Sequence, residues 1–101
     1  MFIYNVTIKV RTDIHEAWLQ WLHEEHIPDM MSSECFTSSN VYRLLEVDDS
    51  EGPTYVIQYK AESKGQYNHY IDKFASEMRS RSYEKWGDAF IAFRTLMQVV
   101  N

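Results

Sequence analysis

Apolar and polar residues alternate from Phe2 to Val10, with Phe2, Tyr4, Val6, Ile8 and Val10 on one face and Asn5, Thr7 and Lys9 among those on the other. A period of two predicts a β-strand. The period then changes. Ile14, Ala17, Trp18, Trp21 and Leu22 recur at helical spacing, and Asp13 followed three residues later by Glu16 matches a capping box, which predicts a helix from about residue 14 to 26. Pro28 closes that helix, because a proline pushes the residue before it out of the α region. Pro28-Asp29-Met30-Met31 can open one further short turn. The stretches 40–47 and 54–61 are β-like, and Asp48-Asp49-Ser50-Glu51-Gly52-Pro53 between them is a turn-rich acidic loop, so the pair reads as a hairpin. Ser63 with Gln66 repeats the capping-box pattern and opens a second helix to about residue 81, whose stripe is Tyr67, Tyr70, Ile71, Phe74 and Met78. An irregular connection through Tyr83, Trp86 and Gly87 leads to a last, buried strand over 89–100.

The order β-α-β-β-α-β is the split βαβ arrangement of ferredoxin-like folds: α+β, a four-stranded antiparallel sheet with two helices on one face. At 101 residues the chain reads as one domain, 1–101, large enough to bury about two thirds of its surface. Two helices cover one sheet face and leave nothing for the other. Yet the last strand is apolar on both sides, Ile91, Phe93, Met97 and Val99 alternating with Phe90, Ala92, Leu96 and Val100. A bare apolar face exceeds what soluble monomers tolerate, so a homodimer through the sheet face, related by a twofold axis, is expected. The alternative is a monomer whose open face is wetted by Arg94, Gln98, Asn5 and Lys9. Which face of the last strand meets the partner is open at this stage.

Charge and cysteine content narrow the partners. Ten Lys and Arg against fifteen Asp and Glu give a net charge of −5, with the basic residues scattered, and this disfavours nucleic acid. The one cysteine, Cys35, forms no internal disulfide and no thiolate metal site, which suggests a cytoplasmic protein. Met1 leads straight into the first strand with no leader pattern, and no apolar run approaches the ~20 residues of a membrane span. Asn5-Val6-Thr7 matches a glycosylation acceptor inside a predicted strand and reads as chance.

Candidate chemistry gathers on the two helices. Glu25 falls near the middle of the stripe made by Ile14, Trp18, Trp21 and Leu22 if the first helix continues that far, which would make it an acid or base with a raised pKa; a frayed helix end would release it to water. His26, the other catalytic candidate, lies at the flank of that stripe and His23 on the polar side. Their spacing of three is not the His-Glu-x-x-His pattern, no third ligand is in view, and His69 lies opposite its own stripe, so no metal site is expected. His26 near a helix C-terminus also suits the dipole when protonated. Trp18, Trp21, Tyr67, Tyr70 and Phe74 can wall an apolar ligand pocket, although stripes of this kind are more often plain core. No phosphate-cradling glycine loop and no Gly-x-Ser-x-Gly elbow is present, and no cofactor is expected.

Ile3-Tyr4-Asn5-Val6-Thr7, Trp21-Leu22 with Glu24-Glu25-His26-Ile27-Pro28-Asp29, Leu44-Leu45-Glu46-Val47 before Gly52-Pro53-Thr54-Tyr55, and Phe90-Ile91-Ala92-Phe93-Arg94-Thr95-Leu96 resemble a small bacterial family known only as a domain of unknown function. The resemblance spans nearly the whole chain. It implies a place in the dimeric α+β barrel group, in which two ferredoxin-like protomers press their sheets together. That group includes cofactor-free monooxygenases, muconolactone isomerases, chlorite-dismutase-like haem proteins and members with no assigned activity. Glu25-His26-Ile27-Pro28 is loosely similar to a Glu-His-x-Pro segment of its tert-butyl-ether-degradation branch, and no catalytic role is carried across from it. Three functions are therefore weighed: a dimeric barrel binding a small apolar or aromatic ligand between helices and sheet, a non-catalytic protein-interaction module, and, by group analogy, a cofactor-free oxygenase or isomerase.

Overall fold

In a computed structural model describing residues 1–101, strand β1 (Phe2–Val10) lies at the centre of the sheet, paired antiparallel with β3 (Thr54–Ala61) on one side and β4 (Phe90–Gln98) on the other. Strand β2 (Ser38–Arg43) adds antiparallel to β3, giving the order β2-β3-β1-β4 of a ferredoxin-like α+β fold. Register places Tyr4 opposite Tyr59 and Leu96, Val6 opposite Ile57 and Arg94, and Ile8 opposite Tyr55 and Ala92. Alternation therefore puts all of these on one face. The helices pack on that face, with Trp18 stacked on Tyr55 at 5.6 Å between ring centroids and Tyr70 against Tyr4 at 5.5 Å.

The first helix runs further than predicted. It comprises α1 (His15–Trp21), a π-turn over Leu22–His26, and α2 (Ile27–Ser32), so Pro28 lies inside it and does not end it. In the π-turn the Ile27 N–H bonds to the Leu22 carbonyl, one residue further back than in an α-helix. The wider turn gives room to a proline ring that would otherwise meet the carbonyl four residues before it. One extra residue in the turn also shifts the register. The inward position that an unbroken helix assigns to Glu25 passes to His26, and Met30 is buried in turn. The Asp13 capping box does not form: Ile14 is the N-cap, with no side-chain bond, and Asp13 pairs instead with Arg11 at 2.6 Å.

Ser63 does cap the next helix, its hydroxyl accepting from the Gln66 N–H at 3.1 Å. That helix is α3 (Lys64–Lys73), and after a kink at Phe74 the chain continues as α4 (Ala75–Trp86). Backbone bonds carry across the kink, Phe74 N–H to Tyr70 O and Met78 N–H to Phe74 O. Tyr83 and Trp86 are thus helical, and the stop is Gly87, whose φ of 58° with ψ −132° is a non-helical conformation that suits glycine. Strand β2 ends at Arg43, short of the predicted 47, and Glu46 has left the extended region with φ 59°. Gly52 secures the acidic loop against the end of β1: a Cβ there would lie 1.8 Å from the Val10 carbonyl oxygen.

The opposite face of the sheet is uncovered. Ile91, Phe93 and Met97 of β4 point to it, with Phe93 67% exposed. Thus the side of β4 that faces outward is the Ile91 side, and Leu96 faces the helices. Polar groups cross the middle of this open face: Gln58 Nε2 donates to Asn5 Oδ1 at 3.2 Å, and Asn5 Nδ2 donates to Thr95 Oγ1 at 3.3 Å. Arg94, expected among the wetting residues, is on the other face by strand parity. No helix is long and apolar enough to cross a membrane.

Candidate binding cavity

Between the sheet and the helices lies a cavity of about 40 Å³, lined by sixteen residues, twelve of them hydrophobic. Its two ends differ because of the sequence of β1. Where β1 carries Ile8, the neighbours are Trp18, Trp21 and Phe90, an apolar end built from the α1 stripe. Where β1 carries Tyr4, they are Tyr59, Tyr70 and Arg79, a phenolic end built from β3, α3 and α4. Arg94 and His26 lie along the wall with Val6. A volume of this size holds roughly three waters, whereas a cavity of about 150 Å³ is needed for benzene. The space as it stands takes only a few heavy atoms, so a ligand of about five or six, aliphatic or aromatic, occupies it only by extending into its open side, where the lining residues Arg79 and Arg94 are exposed.

The predicted wall residues divide accordingly. Trp18, Trp21 and Tyr70 line the cavity, and Tyr67 and Phe74 do not. Tyr67 packs on Tyr4 from α3 at 5.6 Å and Phe74 stacks on Tyr70 at 6.5 Å, so both buttress the wall from behind. Glu25 is exposed, turned outward by the π-turn, and lines only a shallow surface groove with Trp21, Asp29 and Arg81. It is no buried acid. His23 is exposed too, and no three His, Cys, Asp or Glu side chains converge anywhere in the chain.

His26 sits half-buried, its ring stacked on Trp21 at 4.8 Å. Burial pushes its pKa down to about 4, against the pull of nearby Asp29 and helped by Arg94 and Arg81, so the imidazole is neutral at pH 7. The predicted interaction of a protonated His26 with the helix dipole is therefore lost. Burial also raises the pKa of the Tyr59 and Tyr70 phenols, which stay protonated as donors. The Tyr70 hydroxyl donates to Met30 Sδ at 3.2 Å, Arg79 Nη2 donates to the Tyr4 hydroxyl at 3.3 Å, and the Tyr59 hydroxyl opens onto the cavity with no protein partner.

Residues 1–100 match the model of the domain of unknown function DUF4286. The chain belongs to that family. No curated protein matches the DUF4286 chain in sequence. Solved structures share its fold at low identity. A dimeric ferredoxin-like protein from an uncultured marine organism superposes with a TM-score of 0.75 at 12% identity, covering 99% of this chain and 95% of its own. An ethyl tert-butyl ether (ethd) family protein from Bacillus halodurans gives 0.67 at 9% identity, with 99% and 100% covered. An antibiotic biosynthesis monooxygenase gives 0.62 at 12% identity, with 98% and 99% covered. At such identities the likeness is one of fold, and the cavity has to be read on its own residues.

The sequence reading missed Arg79, Arg94, Tyr4 and Tyr59 at this cavity. Arg79 lies outside the stripe of Tyr67, Tyr70, Ile71, Phe74 and Met78 and close to the expected helix end at about 81, and Arg94 reads from the sequence as a polar residue of the open face. Strand parity alone could have located Tyr4, Tyr59 and Arg94, once β1 was aligned with β3 and β4.

Proposed function

We propose that this chain is a homodimeric binding protein that holds a small molecule between Trp18, Trp21 and Tyr70 and the inner face of the sheet. The observation that carries the reading is the cavity, with an apolar end for the ligand's body and unspent hydrogen-bond donors at the other end for its polar group. Sheet-to-sheet pairing is supported by the exposed Ile91, Phe93 and Met97 and by the marine neighbour, itself a dimeric ferredoxin-like protein. The buried free thiol of Cys35 supports a reducing, cytoplasmic setting.

Three tryptophans provide the test. In ¹⁵N-labelled protein titrated with isobutanol, isobutyramide and isobutyrate, at least one probe is expected to shift the Trp18 and Trp21 indole signals saturably. The Trp86 indole, which does not line the cavity, should move less. Absence of any saturable shift at Trp18 and Trp21 for all three probes would overturn the proposal.

A further inference from the structure

The sixteen residues around the cavity include two arginines and one histidine and not a single carboxylate, in a chain whose net charge is −5. Neither arginine is neutralised elsewhere. The acids nearest this region are already engaged: Arg81 bonds Glu77 at 2.6 Å and Asp29 at 3.4 Å, and forms no part of the lining. Arg94 has no ion-pair or hydrogen-bond partner in the protein, and Arg79 reaches only a neutral phenol oxygen, that of Tyr4. Both arginines are exposed residues as well as lining the cavity, so a ligand can reach them.

The hydroxyls tell the same story from the donor side. Tyr59 is 2% exposed and its hydroxyl has no partner. Tyr70 gives its proton to a thioether, a weak acceptor, and Tyr4 accepts from Arg79 while donating to nothing. Two phenol protons, those of Tyr4 and Tyr59, and two guanidiniums thus lack a strong acceptor, and the third phenol proton, that of Tyr70, has only a thioether. The one buried side-chain polar atom without a partner is the Trp86 indole nitrogen, outside the lining, so the cavity donors are open to a ligand. The group that suits them is rich in acceptor lone pairs and, beside two cations, negatively charged.

We infer that the cavity takes a small organic carboxylate, its apolar body toward Trp18 and Trp21 and its acid group among Arg79, Arg94 and the tyrosine hydroxyls. This rests on the binding role proposed above and adds the charge of the ligand. Isobutyrate and isobutyramide, equal in shape and different in charge, separate the two claims. Isobutyrate is expected to bind roughly tenfold or more tightly than the amide, with an affinity that falls as salt rises. Arg94→Gln and Arg79→Gln should each weaken isobutyrate by roughly tenfold and leave isobutyramide within about twofold, and Arg94→Lys should restore most of the loss. The unchanged amide affinity certifies that the variants are folded. If the amide binds the wild type as tightly as the acid, or if neither glutamine variant alters the preference, the carboxylate inference fails and the cavity reading stands. If neither probe nor isobutanol moves the indoles, both fail together.

Discussion

The two faces of one sheet solve opposite problems with nearly the same residue types. On the inner face Tyr4, Ile57, Tyr59 and Val10 are buried by the helices, and the polar atoms admitted there are only partly satisfied: Tyr70 has a thioether, Tyr4 accepts from Arg79, and the Tyr59 hydroxyl has no protein partner. On the outer face Asn5, Gln58 and Thr95 satisfy one another in a chain of hydrogen bonds, while Ile91 and Phe93 stay bare. Polar groups that close on themselves leave only apolar area for a neighbour to cover, which suits a protein surface. Polar groups left open inside a cavity call for a solute. On the function proposed above, the outer face is for a second copy and the inner face for a ligand.

The largest expected effect breaks the inner face. Trp18 is 1% exposed and stacked on Tyr55, and Trp18→Ala should cost about 3–5 kcal/mol, a large part of the stability of a domain this size, as measured by urea unfolding.

The next probes the inner face by pH. His26 has a folded pKa of about 4 against an ordinary 6.5, so the unfolded chain binds the proton first. Stability from this source is complete above pH 6.5 and falls as the pH drops from 6.5 to 4, by up to about 3 kcal/mol. Urea midpoints measured across that window should show the fall, and His26→Gln should flatten it. A wild-type profile parallel to that of the variant would mean that His26 is not held neutral.

The mildest effect for the protomer falls on the outer face. Light scattering should give about 24 kDa, twice the 12.1 kDa chain, and Phe93→Asp should raise the dimer dissociation constant by roughly thirtyfold or more. Because Phe93 is 67% exposed, the same change should leave the unfolding of the dissociated protomer within about 1 kcal/mol. A 12 kDa wild type at micromolar concentration would remove the assignment of this face.

Most of the architecture was legible because it is written in local periods: the alternation of β1, the Ser63 cap, and the apolar double face of β4 each needed no tertiary information. What was hidden depends on contacts between distant segments or on one-residue accidents of register. Pro28 reads as a terminator, and only the π-turn before it makes it tolerable. The side on which Arg94 lies follows the parity of β4, which stays open until its pairing with Val6 is known. Cys35 and Phe36, buried in the connection after α2, carry no periodic signal at all, yet Phe36 packs on Tyr4, Tyr59 and Tyr70. The phenolic end of the cavity is likewise assembled from β1, β3 and α3, and no one segment announces it.

The π-turn also records how this chain can change length. A helix with one surplus residue stored in a single wide turn can lose that residue and keep the same side chains facing the sheet on both sides of the loss. Removing exposed Glu24 together with Pro28→Ala should leave a regular helix that still delivers Trp18, Leu22, His26 and Met30 inward, with isobutyrate binding intact. A deletion that would rotate half of an ordinary helix out of its packing would here be silent, so relatives differing by one residue in this segment are expected to share the cavity.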